Sequence, residues 1–134
     1  MKSKIVLDSY AILAYLENES GGVLVKKILN NVKKVNSILF LSFINLAEIY
    51  YSVIRDHGIN TAKTTLSTIR KMPIKIVSAT DDLVLRAAEV KGFYSIALGD
   101  CFAVALALQE KATILTGDPE FKKVAKLVKL KWLI

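Results

Sequence analysis

At 134 residues the chain has the length of one domain and can bury a core without cross-links; its lone cysteine, Cys101, and lone histidine, His57, exclude a disulfide framework and a Cys/His zinc site. Ser-His catalysis would have to rest on His57 alone, and any bound metal must be held by oxygen, which favours magnesium, manganese or calcium. The net charge of +7, from 19 basic and 12 acidic residues, attracts polyanions and favours a nucleic-acid partner over an acidic protein surface; a solvated lysine-rich surface is the plainer alternative.

Met1-Lys2-Ser3-Lys4 runs into only three apolar residues before Asp8, too few for a signal peptide, so a cytoplasmic location is expected. Hydrophobic residues make up 53% of the chain, yet the longest apolar region, Phe93 to Leu108, is broken by Gly99-Asp100 and falls short of a membrane span.

Ile5-Val6-Leu7 reads as a short strand buried on both faces, the appearance of a strand inside a parallel sheet. Asp8 follows it and a helix from Ser9 to Leu16 comes next, which puts Asp8 on the sheet edge where ligands bind in open parallel sheets. Glu19-Ser20-Gly21-Gly22 is a turn signal, and apolar residues at 25, 28, 29 and 32 predict an amphipathic helix over Val23 to Val35. Ile38 to Leu41 is strand two, with Ser42 as the cap of a helix running from Phe43 to about Arg55. On that helix Leu46, Ile49, Tyr50 and Val53 form one stripe. Glu48 falls opposite the stripe, where it reads locally as an ordinary solvated glutamate.

His57-Gly58 closes this helix, and another is expected from Asn60 to Lys71, before Met72-Pro73. Ile74 to Val77 is strand three. Thr80, Asp81 and Asp82 introduce a helix over Leu83 to Lys91 that Gly92 should end; capping and the helix dipole explain those acids without chemistry. Asp100 is placed as a cap or first-turn residue of an alanine-rich helix from Cys101 to Glu110, with Cys101 a small buried residue. Ala112 to Thr116 is strand four, and Asp118-Pro119 is a good helix-start signature. Lys126 to Ile134 suits an edge strand whose lysines discourage further pairing. Trp132 belongs to the core or an interface.

The strand-helix alternation predicts a single-domain, three-layer α/β fold with a mostly parallel sheet. Asp8 and Asp118 then end two strands on one edge, and Asp100 opens a helix whose start can face the same edge. Capping explains each acid singly but not several on one edge. Carboxylates so gathered raise one another's pKa unless a cation neutralises them, and a divalent metal is the economical account.

Four segments, Leu7-Asp8-Ser9, Asn45-Leu46-Ala47-Glu48, Ala97 to Ala105 around Gly99-Asp100, and Ile114 to Phe121 around Gly117-Asp118, together resemble the four acidic motifs of PIN-domain nucleases. In size and layout the chain most resembles the VapC toxins of toxin-antitoxin pairs. The resemblance covers essentially residues 1–134, as one domain, and implies an α/β/α PIN-like fold with a central sheet of four to five strands. It implies a metal-dependent endoribonuclease in which Asp8, Glu48, Asp100 and Asp118 hold magnesium or manganese. Asp8 and Asp100 are the expected primary ligands, and Glu48 is moved off its solvated face. Thr116 matches a hydroxyl frequent beside the fourth acid, Glu120 is placed to add an outer carboxylate, and Ser9 flanks the first acid. The implied partners are an RNA substrate, a VapB-type antitoxin and a second copy of the chain, with no membrane.

Haloacid-dehalogenase-like phosphatases need a second aspartate where this chain has Tyr10, receiver domains need an acidic pair after the first strand, and Toprim nucleases need an Asp-x-Asp pair; all three are disfavoured. A housekeeping RNA-processing nuclease and a non-catalytic RNA-binding module remain the alternatives within the PIN group.

Overall fold

The computed structural model describes residues 2–134. Five parallel strands, β1 (Ser3–Leu7), β2 (Ser37–Ser42), β3 (Lys75–Val77), β4 (Thr113–Thr116) and β5 (Leu130–Trp132), form one sheet in the order β3-β2-β1-β4-β5. β1 is the central strand, with Val6 and Leu7 fully buried, and it pairs on one side with β2 and on the other with β4. The chain winds outward from β1 through β2 to β3 and then returns to lay β4 on the other side of β1. The strand order therefore reverses between β1 and β4, and the crevice outside their carboxyl ends is where such sheets bind ligands.

Side chains alternate across each strand and feed two cores. Ile5, Leu7, Leu39, Leu41 and Leu115 face the layer made by α1 (Ser9–Leu16), α2 (Gly22–Asn30), α3 (Phe43–His57) and α4 (Ile59–Arg70). Val6, Phe40 and Ile114 face α5 (Asp81–Phe93), α6 (Leu98–Glu110) and the short 3-10 helix Pro119–Val124. This is the three-layer α/β/α arrangement expected from the alternation, with a wholly parallel sheet.

Several element boundaries differ: the edge strand expected over Lys126 to Ile134 is confined to Leu130–Trp132, and three helix ends move for local reasons. The helix expected to reach Val35 stops at Asn30, because the exposed Lys33-Lys34 stretch has no apolar contact to continue it and Asn36 turns the backbone left-handed at φ 53° to enter β2. Gly92 does not end α5, which passes through it to Phe93; the extended backbone of Tyr94 stops the helix instead. α6 begins three residues earlier than expected, at Leu98, with Ala97 as an N-cap that offers no side-chain hydrogen bond. Asp100 is thus a first-turn residue, not a cap.

From Cys101 to Ala107 every residue of α6 is at least 95% buried, so the later part of the apolar region Phe93 to Leu108 is the central helix of one core. No single helix among the described residues is long and apolar enough to cross a membrane; α5 and α6 meet at 116°.

Candidate active site

The crevice at the strand reversal is built around Asp8. β1 delivers it to the sheet edge, where it becomes the N-cap of α1: Oδ1 accepts a hydrogen bond from the Ala11 N–H at 2.8 Å. Its other oxygen, Oδ2, accepts from the Thr116 hydroxyl at the end of β4. Both oxygens are engaged, and the carboxyl is only 1% exposed. The Thr116 oxygen in turn accepts from the backbone N–H of Asp118 at 3.0 Å, so one buried hydroxyl ties the first and fourth acids together. Asp118 caps the 3-10 helix, accepting from Glu120 N–H at 2.9 Å.

Glu48 does not sit on a solvated face. It is half-buried on α3, and its carboxylate lies against Gly99 in the first turn of α6, so closely that a Cβ at position 99 would collide with it. Asn45, one turn earlier on α3 and fully buried, donates from Nδ2 both to Glu48 Oε1 at 2.7 Å and to the Gly99 carbonyl at 3.0 Å. Asn45 is the site residue that sequence reasoning missed. Its presence in the same segment as Glu48 was visible, but its partner in α6 lies 54 residues away. Asn45 Oδ1 is buried with no partner, an orphaned acceptor tolerated where the amide's donors are both used.

The electrostatics show which acids share the crevice. Burial pushes the Asp8 carboxyl up from 3.8 to about 7, helped by the charges of Asp100 and Asp118 and opposed by the hydrogen bonds from Thr116 and Ala11. Burial likewise pushes Asp100 up to about 7, and Asp118, Glu48 and Glu120 add to the rise. Asp8, Glu48, Asp100 and Asp118 are thus brought to one edge by four separate segments. Glu120 stands at its margin, its carboxylate paired with Lys123 at 2.7 Å, and Ser9 opens α1 beside Asp8. Asp81 and Asp82 open α5 after the edge strand β3, two strands over from β1. Thr80 caps their helix, and Asp82 pairs with Arg86 at 3.0 Å.

The donor set fits a hard divalent cation. It is made of oxygen only, and among the described residues the ion pairs are His57 with Glu17, Arg86 with Asp82 and Lys123 with Glu120, none of which neutralises the four acids. Among the described residues no three acidic, His or Cys side chains are gathered around one point as they stand. Holding an ion with three or more of them therefore requires the less buried carboxylates to swing inward, while Asp8 stays fixed by its two hydrogen bonds.

The PIN domain profile matches residues 5–127. The chain belongs to the PIN domain family. No curated protein matches it by sequence. Among solved structures, the PIN fold here is similar to VapBC2 from Rickettsia felis bound to a DNA fragment from its promoter, with a TM-score of 0.74 at 18% identity over 96% of this chain and 98% of that one. It is similar to the DNA-bound VapBC from Salmonella typhimurium, with a TM-score of 0.76 at 11% identity over 98% and 99%. A third likeness is to Mycobacterium tuberculosis VapC20, described as a Sarcin-Ricin loop cleaving toxin, with a TM-score of 0.70 at 16% identity over 88% and 92%.

Proposed function

We propose that this PIN domain is a metal-dependent endoribonuclease, the toxin of a VapBC-type toxin-antitoxin pair, working in the cytoplasm. The observation that carries the reading is that Asp8 and Asp100, both raised by burial, are raised further by the charges of neighbouring acids among Asp8, Glu48, Asp100 and Asp118 at one sheet edge, with no Lys or Arg side chain ion-paired to any of the four among the described residues. A PIN fold whose structural neighbours include VapBC complexes and a toxin described as Sarcin-Ricin loop cleaving supports it.

Asp8 and Asp100 are the primary ligands in this reading, with Asp118 and Glu48 completing the set for magnesium or manganese. Such an ion, when bound, neutralises the anionic phosphodiester and acidifies the attacking water. The chain's own residues do the rest. Thr116 and Ala11 hold both Asp8 oxygens so that the carboxyl cannot rotate. Asn45 turns Glu48 toward Gly99 and ties α3 to the start of α6, which sets where Asp100 projects. Gly99, lacking a side chain, leaves the room that the Glu48 carboxylate occupies. Surface lysines of a chain with net charge +7 supply the general attraction for the RNA backbone.

Exposed apolar side chains support the assembly part of the reading. Phe93 is 85% exposed and Leu85 63%, a pattern suited to a second copy of the chain or an antitoxin. The test is cleavage of a mixed structured-RNA pool by purified protein with magnesium, manganese or EDTA, beside Asp100→Asn and the control Asp81→Asn. Cleavage that needs metal, vanishes in Asp100→Asn and survives in Asp81→Asn is expected. Cleavage that persists in EDTA or in Asp100→Asn, or its absence from a folded, antitoxin-free protein under every metal, refutes the reading.

A further inference from the structure

The net charge is not spread evenly along the chain. Residues 121–134 hold five of the 19 basic residues, Lys122, Lys123, Lys126, Lys129 and Lys131, and none of the 12 acidic ones, so five of the seven net charges fall on this one segment. Lys122, Lys126 and Lys129 line a groove of about 710 Å³, together with Leu127, Leu130 and Trp132, which pack against the core under α5 and α6. All three lysines are exposed, and among the described residues none makes an ion pair; Lys123 alone of the five does, with Glu120. Lysines on an edge strand discourage further pairing, which accounts for Lys129 and Lys131 at β5. It does not account for Lys122 and Lys126, which precede the strand.

The groove begins beside the acids. Lys122 belongs to the 3-10 helix that Asp118 caps, and Trp132 is the register partner of Thr116, whose hydroxyl reaches Asp8. From Trp132 the lining continues past Leu130 to Thr113, where β4 opens, so the groove follows the outer strand away from the carboxyl edge. The charge changes sign along this path, from the carboxylate of Asp118 to the ammonium groups of Lys122, Lys126 and Lys129. A nucleic-acid strand suits both ends: one phosphate lies at the acids, and the phosphates beyond it need cations. Contacts of this kind position a strand without reading its sequence, and a lysine ammonium on its flexible stem makes them as a point charge, with no fixed rotamer. A second lysine-lined groove, of about 490 Å³ and including Lys27 and Lys34, lies where Ser3 and Ser37 open β1 and β2, at the edge opposite the acids.

We propose that the groove of Lys122, Lys126 and Lys129 is the track for a single-stranded RNA substrate, holding the phosphates on one side of the bond cleaved at the acids. The proposal rests on the ribonuclease reading and gives that site its flanking binding surface.

Binding of an end-labelled oligouridylate to the full chain carrying Asp100→Asn, in EDTA, is followed by fluorescence anisotropy over a range of potassium chloride. It is repeated with Lys122→Gln, Lys126→Gln and Lys129→Gln combined, and with a comparison variant combining Lys27→Gln, Lys33→Gln and Lys34→Gln, exposed lysines at and beside the opposite groove. The two variants have the same net charge, so only the position of the lost lysines differs. Each lysine removed from a single-strand contact takes about 0.7 from the slope of log affinity against log salt, so the groove variant should have a slope shallower by about 2 and bind at least about tenfold more weakly at about 0.1 M salt. The comparison variant should change the slope by less than about 0.5. In cleavage assays with manganese and Asp100 restored, the groove variant should raise KM at least about tenfold with kcat little changed, because a track holds substrate and transition state alike. No binding by the Asp100→Asn chain, a slope unmoved by the groove substitutions, an equal fall in both variants, or an unchanged KM overturns the proposal; an unmoved slope is what a groove built for an acidic protein segment would give. The two readings fail distinguishably: metal-dependent cleavage with an unmoved slope leaves the nuclease and removes the track, whereas a groove-dependent slope with no metal-dependent cleavage sinks the ribonuclease reading and the track with it.

Discussion

Replacing Asp8 by asparagine should stabilise the metal-free protein, and by an amount that grows with pH. The ordinary carboxyl at 3.8 is raised to about 7 in the fold, chiefly by burial, so the folded chain binds more protons than the unfolded one throughout that interval. Stability from this group is complete below about pH 4 and is lost as pH rises through about 7. A shift of about three units, at about 1.4 kcal/mol each, amounts to about 4 kcal/mol by pH 8. Asparagine keeps an oxygen for the Ala11 N–H and never ionises. Its amide must instead donate to Thr116, whose oxygen already accepts from Asp118 N–H, so at pH 4 the variant should be equal to wild type or slightly weaker. The gap between the proteins therefore opens by about 4 kcal/mol from pH 4 to pH 8, roughly 10 to 15 °C in Tm for a chain of this size. Thermal melts of both proteins in EDTA at pH 4, 6 and 8 measure it. A gap that stays constant with pH would refute the argument that Asp8 is a buried carboxylate awaiting a cation. With manganese at pH 8, wild type should recover stability and Asp8→Asn should not.

Thr116→Val keeps the volume and removes the hydroxyl that serves both Asp8 and Asp118, which should cost about 1 to 3 kcal/mol in a denaturant titration. Because that hydroxyl lowers the Asp8 pKa, the acid limb of the cleavage pH profile should also move upward. Asn45→Leu should lower kcat roughly tenfold, the worth of about one hydrogen bond, with the fold retained by circular dichroism; Asn45→Asp, which sets a second carboxylate against Glu48, should lower it further. Gly99→Ala should displace Glu48 and depress cleavage, read as a higher manganese requirement. Gly92→Ala, in a helix with open space around it, should raise stability by about 0.5 to 1 kcal/mol and leave cleavage unchanged.

What the sequence disclosed and what it hid follow from the range of the interactions involved. Asp8 and Asp118 were legible because each follows a strand within two residues and caps the next helix, a relation contained within four residues. Asp100 was legible as an acid at the right edge and as either a cap or a first-turn residue; it is the latter, and what was hidden is the cap itself, since nothing local marks Ala97, which offers no side-chain hydrogen bond to the helix it starts. Glu48 was misread by periodicity: the helix face opposite the Leu46-Ile49-Val53 stripe is not open to water when a second helix, α6, crosses it. Only the family resemblance moved Glu48 inward, and no resemblance singled out Asn45. The parallel order of the sheet was legible from the alternation, whereas the reversal between β1 and β4 that makes the crevice is a property of the assembled fold.

That reversal also fixes when the crevice comes into being. Val6 in β1 pairs with Ile114 in β4, so the residues that carry the first acid wait for partners more than a hundred positions downstream. During synthesis, at roughly 5 to 20 residues per second, Asp8 is exposed to water many seconds before Thr116 exists to receive it. A nascent chain can complete β1, β2 and β3 and still possess no crevice. Whatever the folded chain does at that edge, it cannot begin before β4 and Thr116 have emerged from the ribosome to meet β1.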